Sequence, residues 1–147
     1  MKKIKNKDFK KILQPIHKNH TERMYKKLKA KMYTLRQSLR KRSLEHDVEF
    51  DITIDEIKEL FWEAYGKECK YCGRKLTLKT IAGDHKVPLS KNGPSTKQNI
   101  QLICKVCNTR KGALHERDFK ILLEWLDIQS EELRNYVLRK LSKGGRY

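Results

Sequence analysis

Four cysteines fall into two matching pairs, Cys69-Lys-Tyr-Cys72 and Cys104-Lys-Val-Cys107, with 31 residues between the pairs. Two residues between thiols let one tight turn aim both sulfurs at one ion, and two such turns complete a tetrahedron of Zn–S bonds. Gly73, directly after Cys72, suits such a turn. Redox chemistry is the alternative, but it calls for a single Cys-x-x-Cys in a thioredoxin-like setting rather than a pair. Four thiolates fill the coordination sphere and leave no position for water, so the expected zinc is structural and not catalytic.

The segment between the pairs carries the chain's second chemical signal. Residues 81–93, IAGDHKVPLSKNG, hold Asp84-His85 in a stretch with little helical periodicity, followed by Pro94. Taken alone the dipeptide reads as a polar surface loop. Asn99 comes next, and the second cysteine pair runs straight into Asn108, Thr109, Arg110, Lys111 and Gly112.

The string C-x2-C, then DHKVPLSKNG, then QNIQLICKVCNTRKG, over residues 69–113, resembles the HNH endonucleases, in the subgroup stapled by two Cys-x-x-Cys knuckles. The resemblance implies an α+β chain with a ββα-metal core: two strands and a helix around one catalytic divalent ion, with a structural zinc behind them. It implies that Asp84 is the carboxylate ligand of that ion and His85 the base that activates water. Asn99 corresponds to the middle Asn, which pins the loop and orients the histidine. Asn108 stands at the third signature position, where some members have His; a neutral oxygen ligand there suits Mg²⁺ or Mn²⁺ better than a softer metal. The region upstream is more loosely similar to small phage-borne members, which implies a host-cell cytoplasmic setting.

These residue types fit phosphodiester hydrolysis on chemical grounds as well. A histidine near its ordinary pKa can take a proton from water at neutral pH, and a cation held by Asp84 and Asn108 can clamp a nonbridging and a leaving oxygen. Lys111, one helical turn beyond Asn108, is placed to face the same phosphate, with Arg110 beside it. Adjacent strand residues point to opposite faces, so Asp84 and His85 can share a site only if the strand ends or bends there. Asn108 is also suited to cap a helix starting at that point. His17, His20, His46 and His115 have no comparable context.

The elements that must position this loop flank it. Phe9, Ile12 and Leu13 suggest a short helix ending before Pro15. Asn19 and Glu22 are spaced as a cap for a long basic helix to about residue 43, with a single seam of Tyr25, Leu28, Met32, Leu35 and Leu39. Val48, Phe50 and Ile52 alternate with acids as in a short strand. Thr53 and Glu56 form a capping box for a helix with the stripe Ile57, Leu60, Phe61 and Ala64, stopped by Gly66. After the cysteine region, Phe119, Leu122, Leu123 and Leu126 mark one helix. Ser130 caps another with Leu133, Tyr136, Val137 and Leu141, ended by Gly144-Gly145. The Trp and Tyr residues of these helices read as core. We therefore expect one domain: a basic helical region to residue 47, a strand and helix over 48–68, the zinc-stapled core over 69–113, and C-terminal helices over 114–147.

Charge points to the partner. Residues 1–43 hold 16 Lys and Arg against Asp8 and Glu22, residues 44–68 hold 2 against 9 acids, and residues 69–115 hold 10 against Asp84 alone. Two basic blocks around an acidic one suit a polyanion, most simply DNA, with Lys27, Lys29 and Lys31 as candidate phosphate contacts. The start, MKKIKNKDFKKIL, lacks the apolar centre of a secretory signal, and no stretch approaches a membrane span. A soluble, reducing compartment is expected, where the cysteines stay thiols. The leading expectation is a monomeric metal-dependent DNA endonuclease, with a dimer on DNA as the route to double-strand breaks. The alternative is a noncatalytic, zinc-dependent nucleic-acid-binding protein.

Overall fold

A computed structural model describes residues 7–8 and 18–144, without the side chains of 18–20. The expected short helix at Phe9, Ile12 and Leu13, the capping side chain of Asn19, and Gly145 lie outside these residues. The long basic helix, α1, runs from Lys18 to Glu45. Its seam is buried as its spacing requires: Leu28, Met32 and Leu39 are sealed from solvent, with Tyr25 and Leu35 packed beside them.

That seam meets α2 (Ile54–Ala64), whose Ile57 and Phe61 are buried in the same cluster. The capping box at the start of α2 is complete, because Thr53 Oγ1 accepts Glu56 N while Glu56 Oε2 accepts Thr53 N. The stretch expected to be a strand, residues 48–52, makes only one parallel bridge, Phe50 to Ser95.

The two strands are β1 (Ile81–His85) and β2 (Ile100–Cys104), antiparallel, with Asp84 opposite Gln101 and His85 opposite Ile100. β2 is buried along its whole length and passes directly into α3 (Lys105–Lys111). Gly83 lies against α1, where an added Cβ would stand 2.6 Å from Leu35 Cδ1 and the leucine side chain would have to shift. The result is an α+β unit in which hairpin and α3 form the ββα motif, with α1 and α2 completing the core.

Two further helices, α4 (Glu116–Asp127) and α5 (Glu131–Leu141), follow. Phe119 of α4 is fully buried and meets the Tyr71 ring edge-on at 5.0 Å between centroids. Ser130 caps α5 as expected, accepting Leu133 N. The Trp and Tyr residues of these two helices are not core, however. Trp125 and Tyr136 are each about half exposed, because α4 and α5 cover one side of the molecule without being covered themselves.

Candidate active site

The two cysteine pairs converge although they sit on different kinds of backbone. Cys69 and Cys72 occupy a turn closed by Gly73 N donating to Cys69 O at 2.8 Å, with Gly73 at φ +72°, a conformation that favours glycine. Cys104 ends β2 and caps α3, its sulfur accepting Cys107 N at 3.4 Å. The four sulfurs all lie within 4.8 Å of one another, and Cys72 Sγ is 3.5 Å from Cys104 Sγ. A tetrahedron with Zn–S bonds near 2.3 Å needs sulfur separations of about 3.8 Å, so the donor set fits zinc in both chemistry and spacing. A hydrogen bond from Cys107 pulls the Cys69 thiol down to about 4 and raises Cys107 in turn. One thiol of the cluster is thereby primed as a thiolate ligand.

Next to this cluster, β1 ends at His85, as a shared Asp-His site requires. Asp84 points toward β2 and α3. Its Oδ2 accepts Gln101 Nε2 at 2.7 Å, and its Oδ1 is 3.1 Å from Lys111 Nζ. His85 points the other way, toward α1, with Nε2 2.8 Å from Ser95 Oγ. Ser95 Oγ accepts the hydroxyl of Ser43, on α1, at 2.7 Å. Even so, Asp84 and His85 both line one cleft of about 250 Å³, together with Arg42, Gly83, Pro88, Leu89, Asn108 and Gly112.

Asn99 closes the loop that leaves His85. Its Nδ2 donates to Val87 O at 3.0 Å and Pro94 O at 2.8 Å, while its Oδ1 accepts Val87 N at 2.9 Å. Gly93 makes the same closure possible, because a Cβ there would collide with Val87 O at 1.7 Å. Asn108 lies on the second turn of α3. The helix begins three residues earlier than the sequence suggested, with Cys104 as its cap, so Asn108 is not the capping residue. Its side-chain amide has no hydrogen-bond partner among the described residues and is free to present its oxygen to the cleft.

Electrostatics divides the pair. Burial raises the Asp84 carboxyl, against hydrogen bonds from Gln101 and the Lys111 charge. Burial also holds His85 down to about 4, helped by the positive charges of Arg42 and Lys111 and by His46. His85 is thus neutral near pH 7, the form that accepts a proton.

Lys111 departs from expectation. It is sealed from solvent, and its ammonium bonds Asp84 Oδ1 and, at 2.7 Å, His85 O. In this arrangement it neutralises the carboxylate rather than facing an incoming phosphate. Arg110 is also engaged, its Nε donating to Ser142 Oγ at 2.8 Å beyond α5. Lys27 and Lys29 are exposed on α1, but Lys31 is half-buried, and burial together with Lys105 lowers its pKa. Sequence reasoning missed Ser43, Ser95, Gln101 and Arg42. Gln101 alone left a signal, as the polar residue inside the otherwise apolar strand IQLIC.

This hairpin and helix form a ββα unit beside a cysteine cluster that could hold a structural zinc. Residues 69–114 match the sequence model of the family described as HNH endonuclease. No curated protein matches the chain. The likeness covers that segment, about a third of the chain, and the HNH family implies metal-dependent nuclease chemistry. Among the described residues no helix is long and apolar enough to cross a membrane.

Proposed function

We propose that the protein hydrolyses phosphodiester bonds in DNA with a divalent ion, Mg²⁺ or Mn²⁺, and cuts one strand per visit. The observation that carries this reading is the convergence of Asp84, His85 and Asn108 on one cleft inside the matched segment. The donors suit a hard cation. Each Asp84 oxygen holds only one hydrogen bond and can accept another, and the Asn108 amide is unengaged. When bound, the ion would offset charge on the phosphate and the leaving oxygen.

The chain's own residues do the rest. His85, neutral and buried at the cleft wall, takes the proton of the attacking water. Asn99 fixes the loop after His85 so that the imidazole keeps its place. Arg42 reaches the cleft from α1 with no ion pair among the described residues, and we assign it to the phosphate. The exposed lysines of α1, Lys27 and Lys29, extend that positive surface along the DNA backbone. One cleft handles one phosphate, and the α1 seam is already buried against α2, so that seam is not offered to a second copy. These points support a monomer that nicks. Cysteines committed to a metal site and not to disulfides also suit a reducing, cytoplasmic setting.

A specific observation favours the noncatalytic alternative: Lys111 already supplies Asp84 with a cation. The two readings part on metal dependence. Zinc-loaded protein incubated with supercoiled plasmid should give open circles before linear DNA with Mg²⁺ or Mn²⁺, and nothing in EDTA. Tight plasmid binding with no cleavage under any divalent ion would establish the alternative.

A further inference from the structure

The HNH match begins at residue 69, yet part of the histidine's hydrogen-bonded support, Ser43, comes from outside it. His85 Nε2 is held by Ser95 Oγ at 2.8 Å, and Ser95 Oγ is held by Ser43 Oγ at 2.7 Å. Both serines are completely buried. Ser43 stands near the end of α1, 42 positions before His85. Ser95 is immobilised by its backbone as well, its N–H donating to Glu49 O at 2.8 Å and its carbonyl accepting Asp51 N at 3.1 Å. Three separate segments thus fix one hydroxyl against one ring nitrogen.

We infer that the Ser43–Ser95 hydroxyl pair positions His85: with Nε2 protonated and donating to Ser95 Oγ, the ring keeps the Nδ1 lone pair to take a proton from water. The inference rests on the assignment of His85 as base. Nε2 is occupied by Ser95, and Nδ1 has no hydrogen-bond partner among the described residues. A serine suits this place because the ring needs an acceptor at Nε2 both before and after Nδ1 takes a proton. With Nε2 protonated, or as imidazolium, the ring donates there, whereas with its hydrogen on Nδ1 it accepts. A hydroxyl oxygen can accept more than one hydrogen bond, and the second hydroxyl, Ser43, holds the first in place by donating to it. A buried polar ring without such a partner loses a hydrogen bond and its fixed orientation. The long basic helix is therefore part of the catalytic apparatus and more than a surface for DNA.

The test compares Ser95→Ala, Ser95→Thr and Ser43→Ala in the full zinc-loaded chain. Ser95→Ala should lower kcat about 10-fold to 100-fold, within what a general base contributes, with KM for plasmid unchanged. Ser95→Thr, which keeps the hydroxyl, should restore most of the rate, and Ser43→Ala should lose less than Ser95→Ala. Nitrogen-15 NMR of the His85 ring supplies a readout that needs no cleavage: one dominant tautomer in the parent, a mixture in Ser95→Ala. Unchanged ring nitrogen shifts in a folded Ser95→Ala would overturn the inference whether or not the protein cuts DNA. So would a Ser95→Thr no better than Ser95→Ala, or a loss confined to KM. Failure of the endonuclease reading shows separately, as a parent protein that never cleaves or a His85→Ala that still does.

Discussion

Lys111 Nζ lies 3.1 Å from Asp84 Oδ1, and both side chains are buried, at 0% and 6% exposure. The contact joins α3 to the end of β1, which makes it a strut of the site as well as a charge pair. Removing one member of a buried pair leaves the other charge desolvated and typically costs about 3–5 kcal/mol. Lys111→Met should destabilise the zinc-loaded protein on that scale in urea melts. It should leave the salt dependence of DNA binding nearly unchanged, because the ammonium does not reach solvent. A variant as stable as the parent but with a shallower salt slope would put Lys111 on the phosphate instead.

The exposed lysines of α1 should behave in the opposite way. Lys27→Ala with Lys29→Ala should leave the melting transition within about 0.5 kcal/mol of the parent. If both touch phosphates, the slope of log affinity against log salt should shrink by about 1.8, close to 0.9 per contact. Lys31 is excluded from this pair because it is half-buried. Fluorescence anisotropy across a salt series reads the outcome, and an unchanged slope would remove α1 from the DNA interface.

Zinc should be inseparable from folding of the core. Cys104 ends β2, caps α3 and contributes to the cluster, so losing the metal loosens strand, helix and turn together. Metal analysis should find one zinc per chain. Cys104→Ser or a strong chelator should abolish the cooperative melt and cleavage alike. A zinc-free protein with the parent's melt would contradict the structural role of the cysteines.

Acid should destabilise the protein through His85. Its folded pKa, about 4, lies below the ordinary 6.5 because burial, then nearby positive charge, opposes protonation. The unfolded chain therefore takes up the proton first. The stability contribution is full above about pH 6.5 and is lost as pH falls toward 4, amounting to about 3 kcal/mol over the whole window. Asp84 works in the reverse direction, since burial raises its carboxyl, and cannot be the source of this loss. The difference in unfolding free energy between the parent and His85→Gln, measured from pH 7 to 4.5, should shift against the parent. A constant difference would show that His85 is not held neutral.

The cysteines were legible because their spacing is itself the chemistry. Two Cys-x-x-Cys turns can close on one ion only if the chain between them folds back, and that fold brings β1 beside β2. Asp84, His85, Asn99 and Asn108 stood out through the resemblance to the HNH endonucleases and not through spacing alone. Ser43 and Ser95 did not, because a lone serine has no periodicity and becomes significant only when α1 and the loop meet. Lys111 was misplaced because a lysine in a basic block reads as solvated, and only the register Asp84 opposite Gln101 puts the carboxylate over α3. The strand expected at residues 48–52 is reduced to a single bridge, since alternation in one segment cannot reveal how much partner strand will face it.

The central claim is that His85 performs the chemistry without holding the fold or the DNA. The direct measurement is plasmid cleavage by His85→Ala beside the parent, in Mg²⁺ and in Mn²⁺, with zinc content and DNA affinity determined on the same preparations. The account predicts loss of cleavage by at least about 100-fold, with one zinc still bound and affinity nearly unchanged. Cleavage at the parent's rate by His85→Ala would contradict it.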